Sequence, residues 1–294
     1  MRNPTDRPRT LLVTGANTGI GAACAVQLAR PGVHVVLACR SEAKAAPVLA
    51  EVRRAGAEAS FLALDLASLQ DASRAASRFL ERHERLDVLV NNAGLPGQRG
   101  LTTADGFELA FGVNHLGHFA FTMPLVPLLE RCGGRVVNVS SGSHLAVREI
   151  LWARLREPSR TTTGLAEYRV SKLCNILFTA ELRRRHPGLT TTSVNPGRIA
   201  SDIWRRIPAF VRPVLFWAVS MKPVAVGGET LVHAAEVPLE GPDAPLYFDK
   251  LRPREASALA RREALAAELW SYSADAVARA LAAPAQGVAH GAAA

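Results

Sequence analysis

The sequence predicts an α/β fold in which one doubly wound, seven-stranded parallel sheet is flanked by helices within a single domain. Short apolar runs that fit buried strands alternate with segments of helical period, which is the pattern of repeated β–α–β units. The 294 residues suffice for one large core, and the 48% hydrophobic content is ordinary for a globular protein. We expect one domain over residues 1–282, followed by a small, polar-poor, disordered tail at 283–294.

Charge and cysteine usage narrow the possible partners and location. The net charge is +9, but the basic clusters at 183–185 and 205–206 lack the interleaved aromatic residues of a nucleic-acid channel. The charge therefore predicts a solvated surface that also attracts a phosphorylated cofactor, with no nucleic-acid partner. The four cysteines form no C-x-x-C pair, which favours buried free thiols in a reducing cytoplasm over disulfides or a metal site. No signal peptide is expected, and no apolar run reaches the ~18 residues of a membrane span.

The first predicted strand, residues 10–13, runs into a glycine-rich turn at 14–21 and a helix at 22–29. Glycines let the backbone approach a pyrophosphate, and the helix amino terminus supplies N–H groups and the positive end of its dipole. Many glycine-rich turns are only tight loops, but this context favours a nucleotide site of the Rossmann type. The residues predicted to line it are Gly15, Asn17, Thr18, Gly19 and Ile20.

The second predicted strand, residues 33–38, ends just before Arg40. In dinucleotide folds an acidic residue here binds the ribose 2′-hydroxyl, whereas an arginine accommodates a 2′-phosphate. No acidic residue occurs before Glu42, so Arg40 favours NADP(H) over NAD(H). The alternative is that Arg40 is simply a surface residue.

The third and fourth predicted strands, 61–64 and 86–90, end in further candidate cofactor contacts. After the third come Asp65 and Leu66, where Asp65 accepts a hydrogen bond from the adenine amino group, caps the helix at 69–83, or does both. After the fourth come small and amide residues that either form a floor under the cofactor or tie neighbouring loops together. They are Asn92, Ala93 and Gly94.

A long helical pattern at 104–131 carries Asn114 near its middle. Because a buried mid-helix asparagine is disfavoured unless it is hydrogen-bonded, we expect a local kink that holds a water. The fifth predicted strand, 135–139, then ends in Ser140 and Ser141. Strand ends on one edge of a doubly wound sheet bind ligands, so a serine here is well placed for chemistry.

Tyr168 and Lys172 lie four residues apart, and an apolar helical period continues over 173–182. A phenol titrates near pH ~10, and a nearby ammonium lowers its pKa into the range useful for acid–base chemistry. Taken alone, so short a pattern is common by chance.

The rest of the chain predicts packing elements and a substrate cover. The segment 142–167 lacks strong periodicity, with Trp152 and Leu155 as its expected packing anchors. An apolar segment at about 200–222 predicts a lid over a hydrophobic substrate, with a subunit contact or a membrane-surface helix as alternatives. The remaining predicted elements are strands at 190–194 and 246–248 and helices at 224–236 and 256–281.

Six motifs in this order resemble the short-chain dehydrogenase/reductase family. Each is weak alone, but six in order make a chance match improbable. Longer strings such as Leu-Ala-Cys-Arg and Val-Asn-His-Leu-Gly-His-Phe look like its retinol dehydrogenase and protochlorophyllide reductase-like branch, which is largely NADP(H)-using. The motifs are T-G-x-x-x-G-I-G at 14–21, N-N-A-G at 91–94, Asn114, Ser141, Y-x-x-x-K at 168–172 and P-G at 196–197.

The resemblance implies a role for each matched residue. Tyr168 is the catalytic acid or base, Lys172 lowers its pKa and bonds the nicotinamide ribose, and Ser141 polarises the substrate carbonyl oxygen. Asn114 positions a water that relays protons to Lys172, and Ser140 is the fallback for Ser141. Implied nicotinamide and pyrophosphate contacts are Pro196, Gly197, Ile199 and Ser201.

Two departures limit what the resemblance implies. We expect no N-terminal anchor of the kind that membrane-bound retinol dehydrogenases carry. The gap between Ser141 and Tyr168 is 27 residues (168 − 141), longer than the usual family spacing but similar to that of the branch. The substrate lid is the least transferable part of the resemblance, so retinoid specificity is not carried over to this chain.

The expected function is NADPH-dependent reduction of a ketone or aldehyde of a lipophilic or polyketide-like molecule to an alcohol, or the reverse. Hydride transfer with Tyr168 as acid or base is implied, in a homodimer or homotetramer without a metal. Two alternatives are reduction of a carbon–carbon double bond and a non-catalytic NADP(H)-binding regulator. The complete set of candidate catalytic residues argues against the regulator.

Overall fold

Within residues 8–200, 220–239 and 244–283, which the computed structural model describes, eight strands form one sheet. They are β1 (Arg9–Thr14), β2 (Val33–Cys39), β3 (Glu58–Ala63), β4 (Val88–Asn91), β5 (Arg135–Val139), β6 (Thr190–Asn195), β7 (Tyr247–Asp249) and β8 (Arg252–Pro253). Their order across the sheet is β3-β2-β1-β4-β5-β6-β7-β8. The order reverses between β1 and β4, so the crevice beyond the carboxyl ends of these two strands is the expected ligand site.

The prediction of a seven-stranded parallel sheet is confirmed for β1 to β7 but omits β8. That strand has only two residues and pairs antiparallel with β7, after a turn in which Lys250 has a φ of 60°. Two residues, one of them proline, are too few to carry a period of hydrophobicity. The sequence therefore held no signal for this strand.

Helices cover both faces of the sheet. They are α1 (Gly19–Leu28), α2 (Glu42–Arg54), α3 (Leu69–Leu80), α4 (Leu109–Phe111), α5 (Gly117–Thr122), α6 (Val126–Arg131), α7 (Leu165–Arg185), α8 (Val224–Glu236) and α9 (Glu263–Ala282). Side chains of β1 alternate between the faces: Leu11 and Val13 enter a core shared with α1, α2 and α8, and Leu12 enters the core of α3, α7 and α9. No helix of the described ranges is long and apolar enough to cross a membrane.

Two predicted helices begin later than expected. The helix predicted at 104–131 begins at Leu109 and changes type along its length, with a 3₁₀ turn at Met123–Leu125 that contains Pro124 and is followed by Pro127. Proline lacks the N–H that a continuous α-helix needs. The terminal helix begins at Glu263 after a separate 3₁₀ turn at Leu259–Arg261.

Other predictions about packing are confirmed. Trp152 and Leu155 anchor the segment after β5, with Leu155 buried and the Trp152 ring 5.2 Å from that of Tyr272. All four cysteines are free thiols, and three of them are buried. Ser201, nearly all of the predicted lid and residues 284–294 of the predicted tail lie outside the described residues.

Candidate active site

The glycine-rich turn after β1 lies at the carboxyl edge of the sheet and packs directly on the segment after β4. Gly15 and Gly19 have φ values of 65° and 60°, a region that glycine enters without steric cost. A Cβ on Gly15 would lie 2.9 Å from Ala93 Cα, and one on Gly21 would lie 2.4 Å from Asn92 Nδ2. The turn therefore has no room for a larger side chain at either position.

Hydrogen bonds that Thr14 accepts join the two loops. Its Oγ1 accepts from the backbone N–H groups of Asn92 and Ala93 at 2.9 and 3.0 Å, and its carbonyl accepts from Asn92 Nδ2 at 2.9 Å. Of the two predictions for this segment, the tying of neighbouring loops is confirmed. A direct contact between these residues and a cofactor stays a prediction.

The residues around the turn fit a phosphate-bearing dinucleotide. Asn17, Gly19 and Ile20 are half-exposed and Thr18 is exposed, so the turn is accessible. The first turn of α1 holds no acidic residue, so no side-chain charge there opposes an anion at its positive dipole end. Arg40 follows β2 at the same edge of the sheet and is exposed. These residues would hold the phosphates of a bound nicotinamide cofactor.

The structure contradicts one of the two roles predicted for Asp65. Its Oδ1 accepts a hydrogen bond from the N–H of Ala67 at 3.0 Å. The cap of α3 is Ser68, whose Oγ accepts from the N–H of Asp71 at 3.2 Å, so the prediction that Asp65 caps this helix is wrong. Leu66 is buried, and an adenine contact by either residue stays a prediction.

Asn114 lies in a π-helical turn, Gly112–Leu116, which confirms the predicted local distortion. Its side chain is fully hydrogen-bonded: Oδ1 accepts from the N–H of Leu95, and Nδ2 donates to the Leu95 carbonyl and to Ser171 Oγ, each at 2.9 Å. Ser171 Oγ in turn donates to the Tyr168 carbonyl at 2.8 Å. Asn114 thus joins the loop after β4 to the first turns of α7, and its water-relay role stays a prediction.

His118 connects this distorted helix to the turn after β1. Its Nδ1 lies 3.0 Å from the Asn114 carbonyl, which can only accept, so Nδ1 carries the proton. Its Nε2 is then an acceptor for the Thr14 hydroxyl, 2.9 Å away. The neutral form of His118, protonated at Nδ1, therefore links the glycine-rich turn after β1 to Asn114 through two hydrogen bonds.

Buried histidines beside the site make the fold sensitive to acid. Burial lowers the pKa of His115 to about 3 and that of His118 to about 4. Between pH 6.5 and about 4 the unfolded chain binds protons that the folded chain does not, so stability is lost as pH falls through this window. His115 lies in a ring cluster with Phe111, Phe119 and Phe178, where a phenylalanine fits. We expect the gain in unfolding free energy of His115→Phe over the wild type to be about 2 kcal/mol larger at pH 5 than at pH 7.

Urea unfolding of the wild type and the variant at pH 7, 6 and 5 measures this effect. His186→Phe, at a partly exposed histidine that contacts Glu130, is the matched control. Parallel pH profiles for the wild type and His115→Phe would show that His115 does not carry the acid sensitivity.

The structure separates the two serines after β5. Ser140 Oγ is buried and donates to the Lys172 carbonyl at 2.7 Å, which commits it to holding α7 against the sheet. Ser141 is half-exposed, and its side chain hydrogen-bonds that of Tyr168. Ser141 Oγ also accepts the N–H of Ser143 at 3.2 Å, so its own proton is the part of the hydroxyl that Tyr168 or a substrate oxygen can accept. This geometry favours Ser141 over Ser140 as the residue that meets a substrate oxygen.

Lys172 is buried one turn along α7 from Tyr168. Its Nζ donates to the Val139 carbonyl at 2.9 Å and lies 5.4 Å from the centroid of the Tyr168 ring. A Cβ on Gly94 would lie 3.3 Å from both Lys172 Nζ and Asn114 Oδ1. The absence of a side chain at Gly94 therefore lets the loop after β4 reach both polar groups.

The pKa values of this pair differ from the expectation. Burial raises the pKa of Tyr168 to about 12, partly offset by its hydrogen bond with Ser141, and burial lowers the pKa of Lys172 to about 7. The prediction that Lys172 lowers the phenol pKa is not confirmed here, because burial has the larger effect on both groups. At neutral pH Tyr168 is protonated, which suits a proton donor.

The segment after β6 places Ile199, a predicted cofactor contact, beside Ile20 of the glycine-rich turn. Pro196 is buried, and Gly197 has a φ of 92° and donates its N–H to Asn195 Oδ1. A Cβ on Gly227 would lie 2.9 Å from Ile20 Cγ1 and 3.1 Å from Ile199 Cγ1. Ile20 and Ile199 therefore border the same glycine of α8.

Two residues that shape the site were given no role from the sequence: Thr14, which appeared there only as part of the glycine-rich motif, and His118. The four-residue spacing between Asn114 and His118 could have indicated a shared helical face. The contacts of Thr14 join segments about 78 residues apart and have no local signal.

Comparisons with known proteins identify the family of this chain. A family model described as short chain dehydrogenase matches residues 9–152. Retinol dehydrogenase 11 from Homo sapiens is 40% identical over 276 residues, covering 91% of this chain and 85% of that protein. Retinol dehydrogenase 13 from Homo sapiens is 36% identical over 281 residues, covering 90% and 83%.

Solved structures share the fold. An uncharacterized protein from Mycobacterium paratuberculosis has a TM-score of 0.70 and 32% identity, covering 93% of this chain and 96% of that one. A short-chain dehydrogenase from Sphingobium yanoikuyae in complex with NADPH has a TM-score of 0.62, 21% identity and coverage of 97% and 99%, a likeness of fold alone.

The chain therefore belongs to the short-chain dehydrogenase family, and the predicted resemblance is confirmed. Within the family it falls in the retinol dehydrogenase-like branch. The protein is accordingly an oxidoreductase that acts on alcohol or carbonyl groups with a nicotinamide cofactor.

Proposed function

We propose that the protein is an NADP(H)-dependent carbonyl reductase, or alcohol dehydrogenase in reverse, for a lipophilic substrate. The observation that carries the proposal is the convergence of Ser141, Tyr168 and Lys172 beside the loop after β4, with Asn114 bracing that loop. Each group is held by a separate hydrogen bond to the backbone or a neighbouring side chain. This arrangement supports the binding of one substrate oxygen by Ser141 and Tyr168.

In the reductive direction the chain's own residues bind and protonate that oxygen. The Ser141 hydroxyl, with its lone pair engaged by the N–H of Ser143, donates its proton as a hydrogen bond to the carbonyl oxygen. Tyr168 gives its phenolic proton to the same oxygen as negative charge develops there. In its ammonium form Lys172 keeps two protons beyond the one that Val139 accepts, and these are available to a cofactor ribose. The cofactor, when bound, supplies the hydride that reaches the carbonyl carbon.

Arg40 supports a preference for the phosphorylated cofactor. It is exposed directly after β2, and the nearest acidic residue along the chain is Glu42, in the first turn of α2. A guanidinium binds a phosphate through paired, charge-assisted hydrogen bonds, whereas the ribose hydroxyl of NADH offers it no charge.

We expect Arg40→Ala to weaken NADPH binding by about 10- to 100-fold, which corresponds to the loss of one or two charge-assisted hydrogen bonds. NADH binding should be unchanged. Titration of purified protein with each cofactor, followed by cofactor fluorescence, measures both affinities.

Arg54→Ala is the matched control, because Arg54 is an exposed arginine at the end of the neighbouring helix α2. It should leave both affinities unchanged. Equal weakening of NADPH and NADH by Arg40→Ala, or none, would remove the assignment of Arg40 to the 2′-phosphate.

A lipophilic substrate is supported by exposed apolar side chains on the segment that follows the candidate catalytic serine. Leu145 and Leu151 follow Ser141 on the segment between β5 and α7 and are 63% and 53% exposed. A series of ketones and aldehydes of increasing chain length, assayed with NADPH, should show kcat/KM rising with apolar area. Product analysis then distinguishes an alcohol from a saturated ketone made by double-bond reduction, and no turnover at all would favour a regulator. A homodimer or homotetramer and a cytoplasmic location stay predictions.

A further inference from the structure

His144 is a buried histidine three residues beyond Ser141, in a 3₁₀ turn at Gly142–Ala146. Its Nδ1 lies 2.7 Å from the Ser141 carbonyl, and its Nε2 lies 3.1 Å from the backbone nitrogen of Ser257. The Tyr247 ring packs edge-on against the imidazole, with the centroids 5.2 Å apart. His144 therefore joins the candidate catalytic serine to the segment that precedes α9.

Both contacts fix the same tautomer of His144. A backbone N–H can only donate, so Nε2 must accept from Ser257, and a carbonyl can only accept, so Nδ1 must carry the proton. Burial lowers the pKa of His144, against the smaller effects of the Ser141 carbonyl and the Asp249 carboxylate. The ring is neutral at pH 7, with its single proton directed at Ser141.

Ser141 is thus held from two sides by its own turn. The N–H of Ser143 engages its Oγ, and the Nδ1–H of His144 engages its carbonyl. The Ser141 carbonyl also accepts the backbone N–H of His144 at 3.1 Å, so loss of the Nδ1–H contact removes the shorter of its two hydrogen bonds and loosens the turn whose Ser143 N–H orients the hydroxyl.

We propose that His144 is a positioning residue, which fixes the Ser141 hydroxyl for donation to the substrate oxygen by holding the Ser141 carbonyl and the Ser257 N–H at once. This inference rests on the proposed carbonyl chemistry of Ser141. It predicts that catalysis depends on the Ser141 contact of His144 and not on the Ser257 contact.

Two variants separate these contacts. In His144→Asn the amide nitrogen stands three bonds from Cα, as Nδ1 does, so the variant keeps a donor for Ser141 and loses the acceptor for Ser257. In His144→Gln the amide oxygen stands four bonds from Cα, as Nε2 does, so the variant keeps an acceptor for Ser257 and loses the donor for Ser141. Each variant gives up one hydrogen bond, so a merely structural role would affect both alike.

We expect His144→Gln to lower kcat for carbonyl reduction by at least about 10-fold with NADPH binding unchanged, and His144→Asn to stay within about threefold of wild type. The hydrogen bond itself is read by NMR. Ser141-Gly142 is the only Ser-Gly pair in the sequence, so ¹³C-carbonyl serine with ¹⁵N-glycine labels this one peptide bond. The Ser141 carbonyl shift should move upfield in His144→Gln and hold in His144→Asn.

The outcomes separate this inference from the proposed function. An unshifted carbonyl in His144→Gln, or a shifted one with kcat preserved, overturns the positioning role while carbonyl reduction stands. Equal losses of kcat in both variants that follow their thermal stability also overturn it. If the wild type reduces no carbonyl compound, the proposed function fails, and the carbonyl shift still decides whether His144 holds Ser141.

Discussion

Tyr168→Phe should lower the rate of carbonyl reduction by about 10³-fold while leaving the fold and cofactor binding in place. The substitution removes one oxygen and keeps the ring, so the packing of the first turns of α7 is preserved. The lost group is the phenol that hydrogen-bonds the Ser141 side chain and is protonated at neutral pH. Without it the substrate oxygen keeps the hydrogen bond from Ser141 but loses its proposed proton donor, since Ser140 donates to the Lys172 carbonyl and the spare protons of Lys172 are assigned to the cofactor ribose.

Steady-state kinetics with NADPH and a reducible ketone, together with cofactor titration, measure both parts of this expectation. Tyr272→Phe is the control, because Tyr272 is half-buried among Phe111 and Trp152 on the α9 face. It should keep kcat within a few-fold. Turnover retained in Tyr168→Phe would place the proton donor elsewhere, and lost NADPH binding would mean that the phenol acts through the cofactor.

Tyr168 also shows how far the sequence predicted the site. Its spacing from Lys172 is local, and a four-residue interval on a helix places two side chains on one face whatever the rest of the fold does. The glycine turn and the strand ends were predictable for the same reason, since glycine content and apolar runs are local signals. The parallel sheet followed from the alternation of these elements.

Features set by distant contacts were not predictable in this way. The pKa of Tyr168 depends on how deeply α7 is buried, which the spacing of two residues cannot report, and burial outweighed the expected effect of Lys172. Ser68 caps α3, whereas Asp65 accepts a hydrogen bond within its own loop. The roles of His118 and His144 each depend on a contact more than 100 residues away along the chain.

Lys172→Met should make the fold more stable at neutral and acidic pH while abolishing activity. Burial lowers the pKa of Lys172 from 10.5 to about 7, so between these pH values the unfolded chain binds a proton that the folded chain has lost. Because the unfolded state binds more protons there, this group makes stability rise with pH across the window and leaves it lowest below pH 7. The difference of about 3.5 pKa units corresponds to on the order of 5 kcal/mol.

Methionine has a similar length and carries no charge, so it removes this penalty. The Val139 carbonyl stays paired after the substitution, because Asn175 Nδ2 also donates to it at 2.9 Å. Urea unfolding of cofactor-free protein at pH 6, 8 and 9.5 measures this effect. At pH 6 the free energy of unfolding of Lys172→Met should exceed that of the wild type by a few kcal/mol, and this difference should shrink toward pH 9.5. Lys44→Met, at an exposed position of α2, should show no such pH-dependent gap.

A difference in unfolding free energy that is constant with pH, or a lower unfolding free energy for Lys172→Met than for the wild type at pH 6, would mean that the buried ammonium is not a source of instability. The expected result has a functional meaning. A lysine retained against such a cost, beside the phenol and next to the loop after β4, is held for its charge and its spare protons and not for packing. Loss of turnover with a gain in stability in one variant would therefore distinguish a catalytic lysine from a structural one.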